Sequence, residues 1–145
     1  MIYDPQPDVL LVKPVSPPKE KTIFDVILGD ILEEGDYEVA LLSDSDGFAI
    51  AAAPFDRMTD MTAAMTALLR DTANQAHHHL KLSNINELSM VTDNRLRFVC
   101  RFFYTDAGQS LTLTVMALAD QPYRRITNHA VTRLKEACDL SYSRK

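Results

Sequence analysis

His77, His78 and His79 are the densest cluster of metal-ligating side chains in the chain. Successive helical residues point about 100° apart, so three in a row cannot converge on one ion. A helical metal pair needs ligands at i and i+4, and Ala73 and Lys81 supply none to His77. His129 lies far away in sequence. The run therefore reads as exposed helix-end or interface histidines, and no metal is expected. Nucleophilic chemistry is no better supplied. No Gly-x-Ser-x-Gly elbow occurs, and Cys100 and Cys138 form neither a Cys-x-x-Cys pair nor a legible Cys–His arrangement. Four glycines and no GxxxxGK[ST] segment leave nothing to cradle a phosphate. The chain reads as a non-enzyme with no catalytic residue and no cofactor.

Composition narrows the partners. A formal net charge of −5 argues against nucleic acid, which demands a dense basic face. The 145 residues suffice for one domain with a real core, since chains of this size bury about 68–70% of their unfolded surface. Two unpaired thiols fit a reducing compartment. The first residues lack the pattern of a signal peptide, and no apolar run approaches the ~18 residues of a membrane helix. The expectation is a cytoplasmic protein with no membrane insertion.

The elements follow from periodicity and turn chemistry. Residues 1–20 contain Pro5, Pro7, Pro14, Pro17 and Pro18 and read as an extended or disordered arm. Val9–Val12 form an apolar island in it that could dock on the domain or on a neighbour. Thr22 and Asp25 resemble a capping box, and Phe24, Ile27, Leu28, Ile31 and Leu32 make one helical stripe. Gly35 is expected to stop that helix in the left-handed region. A strand over Tyr37–Ser43 turns at Asp46-Gly47 into a second strand, Phe48–Ala53. That second strand is almost all small and apolar, so a helix must lie very close upon it. The long helix, about Arg57–Leu80, carries Met58, Met61, Met65, Leu68 and Leu69 at helical spacing, with Ala63, Ala64 and Ala67 beside them. Its apolar sector is wider than one sheet contact requires. A strand at Glu87–Thr92, a two-residue Asp93-Asn94 turn, and strands at Arg95–Tyr104 and Leu111–Leu118 follow. The last helix starts at Pro122 and turns Tyr123, Ile126, Ala130, Leu134 and Ala137 inward. The domain is placed at 21–141, with a polar tail at 142–145.

In this order, the segments ILGDILEEGDYEVALLSDSDGFAIAAAP and LTLTVMALADQP, with the Ala/Met helix between them, resemble the Roadblock / dynein light chain family. The likeness spans about Thr22–Ser141. It implies an α+β fold, an α/β/α sandwich. Its five-stranded antiparallel sheet has the long helix on one face and two helices on the other. It implies a homodimer or higher assembly through the long helix and the third strand, with Met61, Met65, Leu68, Leu69, Ser89 and Val91 as interface candidates. An unpaired third-strand edge, otherwise open to aggregation, agrees with that pairing. It also implies a scaffold that binds and regulates a Ras-like small GTPase. As a GTPase-activating partner it would reshape the GTPase's own site, with no inserted arginine finger. Arg57, Asp60, Arg70 and Asn74, polar positions on the long helix, are the candidate partner contacts. The alternatives are a structural adaptor without a GTPase and a small-ligand sensor.

Two features break local rules. Asp30, Glu33, Glu34 and Asp36 crowd the end of the first helix, where acids oppose the helix dipole. They either face a partner or pair with Arg124, Arg125 or Arg133. Arg97 and Arg101 project from a central strand, implying either an open sheet face or arginine stems lying across the sheet with heads in water.

Overall fold

Residues 21–143 are described by a computed structural model, with side chains to Leu140. The arm at 1–20, with its Val9–Val12 island, and residues 144–145 of the tail lie outside the described residues. Helix α1 (Ile23–Gly35) begins at the expected cap. Thr22 Oγ1 accepts from the Asp25 N–H at 3.2 Å, and Asp25 Oδ2 accepts from the Thr22 N–H at 2.9 Å. Two of the orphan donors of the first turn are thereby satisfied. The other end differs from expectation. Asp36, not Gly35, adopts the left-handed conformation, with φ 54°. Gly35 is the last helical residue, and a Cβ there would run into the Tyr37 ring. The glycine serves close approach, and the aspartate, which tolerates φ > 0, makes the stop.

Strands β1 (Val39–Asp44) and β2 (Ala49–Ala53) form the expected hairpin. Asp44 Oδ1 accepts from the N–H groups of Asp46 and Phe48 at 2.9 and 3.0 Å, and Gly47 sits at φ +90°. The long helix α2 (Thr59–His79) follows, then β3 (Glu87–Val91), β4 (Leu96–Tyr104), β5 (Ser110–Leu118) and α3 (Arg124–Ser143). The loop between β3 and β4 has three residues, not two. Thr92 and Leu96 close it, and Arg95 takes φ 69°. Here Asp93-Asn94 is the turn and Arg95 absorbs the left-handed residue of the three-residue hairpin. Helix α3 starts two residues later than Pro122, because the Tyr123 carbonyl accepts the first helical N–H, that of Thr127, at 2.9 Å. Its backbone stays helical to Ser143.

All five strands pair antiparallel in the order β2-β1-β5-β4-β3. Strand alternation splits the sheet into two faces. Ala40, Leu42, Ala51, Val99, Phe103, Leu113 and Val115 meet Ile27, Leu28 and Ile31 of α1 and Ala130, Leu134 and Ala137 of α3 in the larger core. Burying a side chain of Leu or Ile size is worth about 1.5–3 kcal/mol, so this layer dominates stability. On the opposite face Leu41 and Ala52 meet Ala63 of α2. The expected α/β/α arrangement is what the chain adopts, with α2 alone on its face among the described residues.

Candidate protein-interaction site

The residues that α2 turns toward the sheet are small or polar: Thr59, Ala63, Thr66, Arg70 and Ala73. Their 4-3-4-3 spacing makes a narrow buried stripe. Thr66 Oγ1 donates to Ala63 O at 2.7 Å and shares a hydrogen bond with Ser43 Oγ at 2.9 Å. Gly47 lies directly under the helix: a Cβ there would stand 3.2 Å from Ala67 Cβ and 3.3 Å from Ala64 Cα. Such contact requires small residues at the turn and on the helix above it; of the β2 alanines, Ala49 and Ala52 pack on the α2 side, whereas Ala51 and Ala53 join the core under α1 and α3.

The large apolar side chains of α2 point elsewhere. Met61 and Leu68 are each 61% exposed, and Met58 and Met65 nearly half exposed; Leu69 is half-buried. Between this stripe and the sheet runs an apolar groove of about 200 Å³, lined by Met58, Met61, Met65, Leu69, Met90 and Phe98. Among the described residues β3 pairs only with β4, so its outer edge carries backbone groups without a partner there, beside the groove. Ser89 and Val91 are exposed on that strand. They share the register face of Val99 and Arg97, the side of α1 and α3. Met90, between them, faces the α2 side with Phe98. Met58, on the helical stripe, and Met90 and Phe98 are missing from the interface candidates that the resemblance implies; period-2 alternation through β3 is the signal that picks out Met90.

The polar candidates separate. Arg57 and Asp60 are exposed at the start of α2, and Asn74 is exposed near its end. Arg70 corrects the expectation of a surface contact. It is buried against the sheet, where Nη1 donates to Leu111 O at 3.1 Å and Thr112 Oγ1 at 3.3 Å. A long side chain on the sheet-facing stripe must find partners beneath the helix.

Arg97 and Arg101 do not leave an open face or send their heads into water. Arg101 donates through Nη1 to Thr127 Oγ1 and through Nη2 to Asn128 Oδ1, both at 2.6 Å. Arg97 Nη2 donates to Ala119 O at 2.9 Å. Glu87, on β3, accepts from the Tyr123 hydroxyl and stands 3.8 Å from Arg101 Nε and 3.7 Å from Arg124. Burial, then the Glu87 carboxylate, pushes the Tyr123 hydroxyl above its usual range. The start of α3 thus covers these arginines, a tertiary contact that strand alternation alone does not reveal. Asp30 pairs with Arg133 at 3.2 Å, so the last helix meets part of the acidic end of α1.

The three histidines stay exposed at the end of α2; His77 Nδ1 lies 2.6 Å from Leu82 O. Among the described residues no group of three or more His, Cys, Asp or Glu side chains is gathered to hold a metal ion. Burial pushes the Cys100 thiol up to about 11, and raises that of the half-buried Cys138. Both sulfurs are held in the unreactive thiol form. No helix among the described residues is long and apolar enough to cross a membrane.

No protein-family model matches the sequence, and no curated protein does. Solved structures do. MglB of Myxococcus xanthus superposes with a TM-score of 0.71 at 13% identity, covering 83% of this chain and 98% of the other. A Roadblock/LC7 domain from Streptomyces avermitilis gives 0.66 at 15%, over 81% and 97%. An MglB structure described as having a tetrameric arrangement gives 0.64 at 18%, over 83% and 89%. With the sheet order and the layering of its helices, these likenesses give this chain the Roadblock/LC7 fold.

Proposed function

We propose that the chain is a non-enzymatic cytoplasmic scaffold that pairs with a second copy through α2 and the β3 edge. As that dimer it binds and regulates a Ras-like small GTPase. The observation that carries the pairing is the outward stripe of Met58, Met61, Met65 and Leu68 beside an unpaired strand edge. A helix that gives its small residues to its own sheet and its large ones to solvent needs a second cover. A twin copy meets the stripe with the same stripe, as two-fold pairing requires. Joining two β3 edges also removes the unpaired backbone groups. The tetrameric arrangement named for one similar structure supports assembly.

The GTPase half rests on the Roadblock resemblance and the shared fold. Arg57, just before α2, and Asp60 and Asn74 on it are exposed polar positions offered to that partner. Sedimentation velocity tests the pairing: a single subunit at micromolar concentration refutes it. Pull-downs with GTP- and GDP-loaded small GTPases encoded beside this gene, followed by single-turnover hydrolysis, test the rest. A complex that depends on the nucleotide is expected, and no complex and no rate change with any of them ends the GTPase reading.

A further inference from the structure

Near the middle of α2, on its sheet-facing side, a buried cation stands without a counter-ion among the described residues. Arg70 is 7% exposed. Its guanidinium lies 5.0 Å from the Phe102 ring centroid and 5.3 Å from that of Tyr104. Of the five guanidinium N–H groups, those on Nη1 are directed to Leu111 O and Thr112 Oγ1. Nε and both hydrogens of Nη2 have no acceptor among the described residues, yet these nitrogens are not sealed in the interior. Arg70 lines a cleft of about 160 Å³, whose other polar residues are Asn74, His77, Asn84, Asn86 and Tyr104. No acidic residue lines it, and among the described residues no carboxylate pairs with Arg70.

Buried charges are ordinarily paired, because desolvation is costly otherwise. The two aromatic faces offset part of that cost. The free Nε–Nη2 edge offers two parallel N–H groups, the geometry that grips a carboxylate at both oxygens. The cleft is well below the roughly 300–1,000 Å³ of pockets for drug-sized ligands, so it suits one short acid-bearing arm. We propose that this cleft is a carboxylate-binding site. Its ligand is either a small free dicarboxylate or the acidic side chain of a docking peptide. The inference depends on neither the dimer nor the GTPase.

The test is an amide chemical-shift titration of the full chain with sodium glutarate and, separately, with a capped Gly-Glu-Gly peptide. Sodium chloride at matched ionic strength and the Gly-Gln-Gly peptide serve as controls. Saturable shifts at Asn74, Asn86 and Tyr104 with either carboxylate, and with neither control, are expected. Saturation by glutarate alone assigns a free ligand, and saturation by the peptide alone assigns a docking segment. Arg70→Lys keeps the charge and loses the fork, and should weaken binding about tenfold. If that variant does not fold, Asn74→Ala with Asn86→Ala decides the point by the same loss. The proposal is overturned by no saturable shift, by equal shifts with chloride, or by undiminished affinity in the folded variants.

Discussion

Replacing Gly47 by alanine separates two contributions that the fold superimposes at the β1–β2 turn. The first is conformational. At φ +90° a Cβ meets its own backbone, at a cost of about 1–2 kcal/mol. The second is the lid above. The new methyl would stand 3.2 Å from Ala67 Cβ and 3.3 Å from Ala64 Cα, and a helix backbone cannot swing aside as a flexible side chain does. Overpacking of this kind costs about 1–3 kcal/mol. Gly108 is the internal control: it has nearly the same angle, φ +86°, with nothing within 4 Å of a built Cβ. Gly108→Ala should therefore lose only the conformational part, and Gly47→Ala should be less stable than it by about 1–3 kcal/mol. Urea unfolding followed by far-UV circular dichroism, at one protein concentration throughout, measures both. Adding Ala67→Gly to Gly47→Ala should recover part of the difference once the loss from Ala67→Gly alone, about 1 kcal/mol in a helix interior, is subtracted in a double-mutant cycle, and leave the contact with Ala64. Equal losses for the two glycine variants would refute the claim that α2 presses on this turn.

Met65→Glu places a charge in the outward stripe of α2, and sedimentation should show the proposed dimer lost. Subunit stability should change by only about 0.5 kcal/mol, as expected for an exposed position. Leu134→Ala, at a fully buried position facing α1 and the sheet, should cost about 2–5 kcal/mol in denaturant unfolding. Cys100 holds its proton more tightly in the folded chain, near 11 against an ordinary 9.0, so its contribution is complete below pH 9.0. Stability should fall as pH rises toward 11, by an amount on the order of 2–3 kcal/mol, and Cys100→Ala should flatten that slope.

Local chemistry was legible where a segment's partners were local or periodic. The Thr22–Asp25 cap, the Asp46-Gly47 turn and the inward residues of α3 follow from spacing within one element. The alanine strand even implied its own cover, because small side chains on a strand make sense only beneath a close neighbour. What spacing could not show was competition for a residue from elsewhere in the fold. Spacing points to Gly35 as the helix stop, yet the Tyr37 ring leaves no room for a Cβ there and Asp36 does the stopping. Position alone puts Arg70 with the polar surface of α2, although Leu111 and Thr112, some forty residues away, hold it inside. Arg97 and Arg101 broke the pattern of a central strand because their partners, Ala119, Thr127 and Asn128, lie beyond the next strand. The methionine stripe was visible by period, but its groove needed Met90 and Phe98 from strands across the sheet.

The rim of the sheet is fastened from behind. Glu87 belongs to the outermost strand, yet its carboxylate reaches the hydroxyl of Tyr123 at the threshold of α3 and neutralises Arg101. Peeling β3 from its neighbour therefore breaks more than a five-residue ladder: it strands a cation and unmoors the last helix. A short strand that would otherwise fray is thus tied to the start of α3 as well as to its neighbour in the sheet.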